Sequence, residues 1–291
     1  MGKVLILRAD VGKSDINRIK SSVGFNKNIT YKTFNNIIFY LDSHKINVYV
    51  DNISLKKYDF VYFRTWSRLG RDIGTAIAHY LNSNKIPFFD VEPLYNTGNK
   101  LVDLIDLSLS HFPIPETIYI PRSMIVKRID FIEKKFKYPL IMKALNSSKG
   151  QYNYLIKRRA EIQRHIDATP SQLEFIFEPY IENDFDYRLF VINYKVKVVY
   201  KRIRDRSKTH LNNLSRGGKI DYIPLDEVKK LISLAEKSSR LLKRNIAGVD
   251  ILISSKYKRP YILEVNNAPG ISAEKAQEAL GNFLLKKISI R

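Results

Sequence analysis

Two stretches decide the fold: AGVDIL at 247–252 and YILEVNNAPG at 261–270. Both are apolar runs of strand length, yet they carry three polar residues, Asp250, Glu264 and Asn266. Glu264 and Asn266 are two residues apart, so they project from the same face of a strand. One such residue would be read as a strand-end cap or a surface residue. Two carboxylates and an amide oxygen on one sheet face favour a Mg²⁺ site instead, because Mg²⁺ prefers hard oxygen ligands.

A lysine in an apolar strand lies upstream: Lys143 in YPLIMKA (138–144). A buried lysine is costly unless an anion pairs with it, and phosphate is one such anion. The alternative is a lysine at a strand end that extends to water. The next loop, in NSSKGQYNYLI (146–156), is small and polar with a single glycine, Gly150, and its backbone N–H groups could lie over phosphates.

Two further stretches between these features are candidates for nucleotide contacts. FIFEPYIEN (175–183) is an apolar strand whose end could receive an adenine, although an ordinary strand end with a proline explains it equally well. The stretch at 198–218 is basic, and arginine binds phosphate or carboxylate bidentately. An exposed basic loop is the alternative. Its basic residues are Lys201, Arg202, Arg204, Arg206, Lys208 and Arg216.

The first third of the chain alternates between strand and helix patterns. Strands are predicted at 3–10, 60–65 and 87–92, which predicts a parallel α/β domain over about 1–95. The spacing of apolar residues predicts one helix within 31–43 and a second around 73–81. The first helix prediction rests on Phe34, Ile37, Ile38 and Leu41.

From about residue 120 the pattern is α+β. A helix at 99–111 leads into it, and further helices are predicted at 225–244 and 272–286. The expected strands are 138–145, 152–157, 174–180, 186–193, 196–203, 249–254 and 261–266, with a hairpin turn at Asn193-Tyr194-Lys195.

Composition narrows the function classes. The absence of cysteine excludes disulfides, thiolate nucleophiles and cysteine-ligated zinc, and the five histidines lack metal-ligand spacing. No apolar run approaches the length of a membrane helix or a secretory signal, so we expect a soluble, cytoplasmic protein. The net charge of +21, mostly after residue 110, favours polyanionic partners, or else reflects a lysine-rich solvated surface.

In this order, the motifs resemble the ATP-grasp superfamily, and within it the RimK-like amino-acid ligases. The resemblance runs over about 97–270, from the helix NKLVDLIDLSLSHFPIPET to LEVNNAPG. Its most specific parts are VVYKRI, HLNNLSRGG, AGVDIL and LEVNNAPG, because their order and spacing match together. It implies an α/β pre-ATP-grasp domain at 1–95, followed by a two-lobed α+β ATP-grasp fold with a central lobe at 96–175, which includes the lead-in helix, and a C-terminal lobe at 176–291. It also implies that this fold binds ATP and Mg²⁺, with Mn²⁺ as a substitute.

The resemblance also implies roles for individual residues. One departure is Tyr152, which stands where the family's phosphate loop usually has a second glycine. The implied roles are Lys100, Lys143, Ser148 and Gly150 at the ATP phosphates; Glu178 and Ile181 at adenine; Asp186 near the ribose; Arg188 and Arg202 at the transferred phosphate; Asn213 (or Asn212) and Arg216 at the reaction centre; and Asp250, Glu264 and Asn266 at magnesium.

The implied reaction activates a carboxylate as an acyl phosphate, which an amine then attacks. Arg64 and Arg68 lie at the carboxyl end of the strand predicted at 60–65, which is where ligands bind in parallel α/β sheets. We therefore expect them to help bind an acidic amino acid or a peptide or protein carboxylate. The alternative is that Trp66 packs between domains and the arginines face solvent.

Other functions stay open at this stage. A regulatory relative could bind ATP without turnover, and Tyr152 is the residue that keeps this alternative in view. A basic protein with 18 Tyr and 15 Phe could bind nucleic acid by charge and stacking, although its basic residues do not form one stripe. A ligase or kinase with a non-peptide substrate is a third alternative. The sequence also leaves open whether the chain forms a homo-oligomer.

Overall fold

The computed structural model describes residues 2–9, 13–65, 68–95, 99–145, 150–203 and 219–289. Its first part holds a parallel sheet, as predicted, which has four strands in the order β2-β1-β6-β7; the strand β2 was not predicted. It also holds a three-stranded antiparallel sheet, β3-β4-β5, which was not predicted either. The elements are β1 (Val4–Arg8), α1 (Lys13–Val23), β2 (Ile29–Thr33), β3 (Ile37–Leu41), β4 (Ile46–Val50), β5 (Ile53–Ser54), β6 (Phe60–Thr65), α2 (Arg68–Ser83) and β7 (Phe88–Phe89).

The helix predicted within 31–43 is wrong. The segment contains the end of β2, a single 3₁₀ turn at Phe34–Asn36 and the strand β3. Ile37 packs toward the core, whereas the side chain of Ile38 is half exposed. The strand predicted at 87–92 is likewise limited to the two residues of β7.

The middle of the chain forms a four-stranded antiparallel sheet in the order β10-β9-β11-β8. Side chains along one of its strands alternate between the two faces of the sheet. Leu140, Met142 and Ala144 are buried under helices, which leaves Lys143 on the opposite face. The elements are α3 (Lys100–Leu109), β8 (Ile118–Tyr119), α4 (Arg122–Ile125), α5 (Ile129–Lys135), β9 (Leu140–Ala144), β10 (Asn153–Ile156), α6 (Arg159–Asp167) and β11 (Phe175–Pro179).

The last part is a five-stranded antiparallel sheet in the order β14-β13-β12-β15-β16. The predicted hairpin is confirmed: Asn193 and Tyr194 both have positive φ, 50° and 59°, as a two-residue turn between twisted strands requires. The elements are β12 (Phe185–Ile192), β13 (Lys195–Ile203), β14 (Lys219–Tyr222), α7 (Lys229–Leu241), β15 (Ile246–Ile253), β16 (Pro260–Asn267) and α8 (Glu274–Ser289).

Helices cover this sheet on both faces. Helix α7 packs on one face through Leu231 and Ala235. Helix α8 lies on the other and also contacts α1 and β1, so Leu280 and Leu284 share one core with Val4 of the first sheet. The first and last parts of the chain are therefore joined by a common hydrophobic core. Among the described residues, no helix has the length and apolar character needed to cross a bilayer.

Candidate active site

The pairing of β15 with β16 brings the three predicted metal ligands together. Asp250 lies opposite Glu264, and Gly248 lies opposite Asn266. Nδ2 of Asn266 is 3.4 Å from both the Gly248 carbonyl oxygen and Oδ2 of Asp250. Asp250 is buried, whereas one third of the Glu264 side chain is exposed. The predicted common face is confirmed, and the metal-binding role stays a prediction.

Two arginines neutralise Asp250. Arg188 is its cross-strand partner on β12, with Nε 2.5 Å from Oδ1 and Nη2 donating to Oδ2 over 3.1 Å. Arg202 on β13 places Nη2 3.1 Å from Oδ2 of Asp250. Burial raises the pKa of the Asp250 carboxyl above its ordinary value, and the charges of Arg188 and Arg202 oppose that shift.

Asp186 holds Arg202 in a bidentate pair. Nε and Nη2 of Arg202 donate to the two carboxylate oxygens of Asp186, each over 2.7 Å, and both side chains are buried. Burial alone would lower the pKa of Arg202, but Asp250 and Asp186 outweigh it and raise that pKa above its ordinary value. Arg202 is therefore a permanent, fixed cation beside Asp250. The predicted proximity of Asp186 to a ribose is not tested by these contacts.

Lys100 approaches the triad from the first turn of helix α3. Its Nζ is 3.2 Å from Oε1 of Glu264. Asn99 caps this helix by accepting a hydrogen bond from Leu101 N over 2.8 Å, which fixes where Lys100 begins the first turn. Burial acts to raise the pKa of Glu264, but the charges of Lys100 and Lys143 outweigh it, so that pKa lies below its ordinary value. Glu264 is therefore ionised at neutral pH, as a metal ligand must be.

Lys143 finds an anion within the protein. Its Nζ lies 2.7 Å from Oε1 of Glu178, which is buried on the neighbouring strand β11 and also accepts a 3.4 Å hydrogen bond from Thr117 Oγ1. The structure thus brings together two residues predicted for different parts of a nucleotide. Ile181 follows β11 with its carbonyl oxygen accepting a 2.8 Å hydrogen bond from Nδ2 of Asn183.

Comparison of the sequence with models of known protein families agrees with this arrangement of residues. The model of the RimK-like ATP-grasp domain matches residues 108–287, more than half of the chain. The chain belongs to the RimK-like ATP-grasp family. The activity class follows from membership: this ATP-grasp protein is an ATP-dependent ligase that joins a carboxylate to an amine and forms ADP.

Individual relatives agree with this placement. A protein named probable alpha-L-glutamate ligase from Methanococcoides burtonii is 25% identical over 234 residues, 79% of this chain and 75% of that protein. Another of that name, from Syntrophotalea carbinolica, is 29% identical over 228 residues, 74% of this chain and 72% of that protein.

Solved structures show the same fold over the whole length. The ATP-grasp ligase PsnB, complexed with a phosphomimetic variant of a minimal precursor, Mg and ADP, has a TM-score of 0.74 at 11% identity and covers 99% of each chain. A D-alanine–D-alanine ligase from Bacillus anthracis has a TM-score of 0.68 at 16% identity, covering 99% of this chain and 96% of that one. The expected two-lobed ATP-grasp fold with an α/β N-terminal part is confirmed.

The loop that was predicted to lie over the ATP phosphates is described only from residue 150 onward in this RimK-like protein. Gly150 has φ 71° and Tyr152 has φ 52°. Tyr152 therefore adopts the left-handed conformation that favours glycine, at the position where the family usually has one. The loop retains this backbone conformation at an energetic cost that a glycine would not incur.

Several predicted residues lie outside the described part of this ATP-grasp chain. They are Ser148, Asn213, Arg216 and the side chain of Arg68. Arg64 is described and is fully buried. Its Nη2 donates to Oδ2 of Asp15 and to the Pro269 carbonyl oxygen, each over 2.8 Å. Its Nε and Nη1 have no hydrogen-bond partner among the described residues.

The donor set of the triad fits a divalent cation. Within the described ranges, no three His, Cys, Asp or Glu side chains form a metal-binding group, so the site depends on Asn266 as the third ligand beside two carboxylates. Oδ1 of Asp250 is buried and accepts no hydrogen bond from the residues that the structure describes, despite its close ion pair with Arg188. An ionised Glu264 and this oxygen are the hard donors that Mg²⁺ prefers.

One cluster beside the triad was not predicted from the sequence: Arg244 with Glu92 and Asp103, all buried. Arg244 stands in the basic segment LLKRN, where nothing distinguishes it from an exposed cation. Its partners are 152 and 141 residues away, so no local pattern could have shown the pairing.

Proposed function

We propose that this ligase uses Mg²⁺ and ATP to convert a substrate carboxylate into an acyl phosphate, which an amine then attacks to form an amide. The observation that supports it best is the paired arrangement of Asp250 and Glu264, with fixed cations on both sides. Phosphoryl transfer needs positioning and charge neutralisation more than covalent help from the protein, and these residues supply both. We propose the cytoplasm as the location of the reaction, because ATP is supplied there.

Each residue takes the role that its position allows. Asp250, Glu264 and Asn266 would hold Mg²⁺, or Mn²⁺, which offsets the phosphate charge when bound. Arg202, oriented by Asp186, and Arg188 would face the transferred phosphate. We retain the other proposed contacts: Lys100, Lys143, Ser148 and Gly150 for phosphates, Glu178 and Ile181 for adenine, Asp186 also for the ribose, and Asn213 and Arg216 for the reaction centre.

The substrate pair is proposed as an acidic amino acid, or a peptide or protein carboxylate, together with an amine. Relatives named alpha-L-glutamate ligases and the precursor complex of PsnB support this class. Arg64 is the proposed contact for the acidic group, together with Arg68, because Nε and Nη1 of Arg64 are not used by described residues. Since Arg64 is fully buried, the substrate must reach those nitrogens by opening the site. Unchanged apparent KM values for both substrates in Arg64→Ala would remove it from this role.

The test is phosphate release from ATP with Mg²⁺ across pools of amino acids and short acidic peptides. Glu264→Gln should lower the rate by at least about 100-fold, since even residues that only support a metal ligand cost about 10–100-fold. The matched control is Glu278→Gln, the same substitution on the exposed side of helix α8, and it should keep the wild-type rate.

The outcomes separate the alternatives. Release that needs Mg²⁺ and one particular acid or amine would establish the ligase and begin to identify its substrates. Binding of Mg²⁺·ADP without turnover in any pool would point to a regulatory relative. Tight, salt-dependent binding of random oligonucleotides without nucleotide binding would overturn the proposal.

A further inference from the structure

Arg244 is the centre of a buried ionic cluster next to the triad. It lies between helix α7 and strand β15 and is 2% exposed. Its Nε donates to Oε1 of Glu92 over 2.8 Å, and Nη1 and Nη2 donate to the two carboxylate oxygens of Asp103 over 2.9 and 3.0 Å. Nη2 also contacts Glu92, and Nη1 also donates to the carbonyl oxygen of Val265. All three nitrogens of the guanidinium are used.

The contact with Val265 fixes the edge strand of the large sheet. In the described part of the chain β16 is the last strand in the order, so no described strand pairs with backbone groups on its outer side. Arg244 binds the carbonyl oxygen of Val265, the residue between Glu264 and Asn266. Two residues on, Nδ2 of Asn267 donates to Oε2 of Glu92 over 2.6 Å. The strand segment that carries two of the predicted metal ligands is therefore held from outside by this cluster.

The contact with Asp103 fixes the helix that carries Lys100. Asp103 lies in the first turn of α3, three residues after Lys100, and its backbone N donates to Asn99 O. The bidentate pair with Arg244 therefore sets the position of that turn relative to β16. The 3.2 Å contact between Lys100 Nζ and Glu264 Oε1 joins these two elements at the site itself.

A gain in folding stability does not explain why this ionic cluster is buried. Burying one guanidinium and two carboxylates has a large desolvation cost, and apolar residues often stabilise a core as well as a buried ion pair does. What a directional network provides is a defined geometry for the elements that it joins. Here those elements are the 3₁₀ turn at Glu92–Leu94, the start of α3 and the strand β16.

We propose that Arg244 is a positioning residue for the nucleotide and metal site, which sets the spacing between Lys100 on α3 and Glu264 and Asn266 on β16. The inference rests on the proposed function, because it concerns the binding of Mg²⁺·ADP at that site. A positioning role differs from a purely structural role in one respect: the affinity of the correctly folded protein for Mg²⁺·ADP depends on Arg244.

The test measures the dissociation constant for Mg²⁺·ADP by calorimetry. It is done at a temperature at which circular dichroism shows that each variant is folded. Arg244→Lys keeps the charge but has a single nitrogen, which cannot span two carboxylates and a carbonyl. The matched control is Arg122→Lys in the other lobe, where Arg122 donates to Thr169 Oγ1, Thr169 O and Leu173 O. Asp103→Asn is a second variant that keeps the side-chain shape and removes one carboxylate.

We expect Arg244→Lys to weaken Mg²⁺·ADP binding by about 10-fold or more, as for other residues that orient metal ligands, while Arg122→Lys binds as wild type does. Wild-type affinity in folded Arg244→Lys would overturn the inference. If that variant does not fold, Asp103→Asn decides in the same way. Failure of the wild-type protein itself to bind Mg²⁺·ADP would instead count against the proposed function.

Discussion

Gly248 lies where the guanidinium of Arg188 crosses strand β15. A Cβ at this position would be 2.2 Å from Nη1 of Arg188 and 2.8 Å from Cβ of Pro269. Gly248→Ala should therefore displace Arg188 from Asp250, lower the rate of phosphate release by about 10-fold or more, and cost about 1–3 kcal/mol of stability. Urea unfolding and the release assay measure the two effects. Gly270→Ala is the control, because nothing lies within 4 Å of its added Cβ, and an equal loss there would contradict the explanation.

The buried carboxyl of Asp90 should make the free energy of unfolding depend on pH. It is fully buried, its Oδ1 accepts a hydrogen bond from Ile246 N over 2.7 Å, and its Oδ2 has no partner among the described residues. Burial raises the pKa of Asp90 to about 8. Between pH 4 and 8 the folded state then holds a proton that the unfolded state has released, so stability falls as pH rises.

Asp90→Asn should remove this dependence. Relative to wild type, the variant should gain about 1 kcal/mol per pH unit between pH 5 and pH 8. Other titrating groups contribute equally to both proteins, so the difference in unfolding free energy isolates Asp90. Parallel stability curves for the two proteins would show that Asp90 is ionised in the folded state.

The sequence was informative at single residues where a polar side chain interrupts an apolar strand. Asp250, Glu264 and Asn266 were placed on one face for this reason, and the register of β15 and β16 confirms it. Pairing partners were harder to predict. Lys143 was expected to need an anion, but the sequence did not show that Glu178 supplies one, because that depends on the register of β9 and β11.

At the scale of elements, short strands were the main source of error. The apolar residues at 34, 37, 38 and 41 fit a helical period, but Ile37 and Phe39 also fit the two-residue alternation of a strand, and both pack toward the core. Pairing with β4 decided between the two periods, and β-branched isoleucine fits a pleated surface well. Such a choice depends on tertiary contacts that a local window does not contain.

The contact between helices α1 and α8 makes a prediction at this scale. A Cβ on Gly281 would lie 2.6 Å from Oγ and 2.8 Å from Cβ of Ser22. On an exposed helix, glycine to alanine would stabilise by about 1 kcal/mol, but here overpacking should make Gly281→Ala destabilising by about 1–3 kcal/mol. The midpoint of thermal unfolding measures this. Adding Ser22→Gly should restore part of the loss, and a double variant no better than the single one would argue against the clash.

On the scale of the whole molecule, the α/β and α+β division was evident from the order of strand and helix patterns, because each pattern is local. How the parts pack was not, since Val4 and Leu280 share a core that no local pattern relates. The net charge of +21 was equally ambiguous, because total charge favours polyanions as a class without choosing among them. The proposed nucleotide chemistry needs cations at fixed positions, such as Arg202 beside Asp250, and total charge does not give those positions.

The shared core of the first sheet and helix α8 also has a consequence for synthesis. During translation, strand β1 emerges from the ribosome long before Leu280 and Leu284 are synthesised. These two residues of α8 cover Val4 and its neighbours in the folded protein. We expect the nascent N-terminal sheet to expose an apolar face through most of translation, a state that invites chaperones and misassembly. Ribosome-bound chains arrested before residue 274 should be cleaved readily by protease within the first 65 residues, whereas chains with α8 fully emerged should resist. Equal resistance of both would mean that the first sheet folds before its covering helix exists.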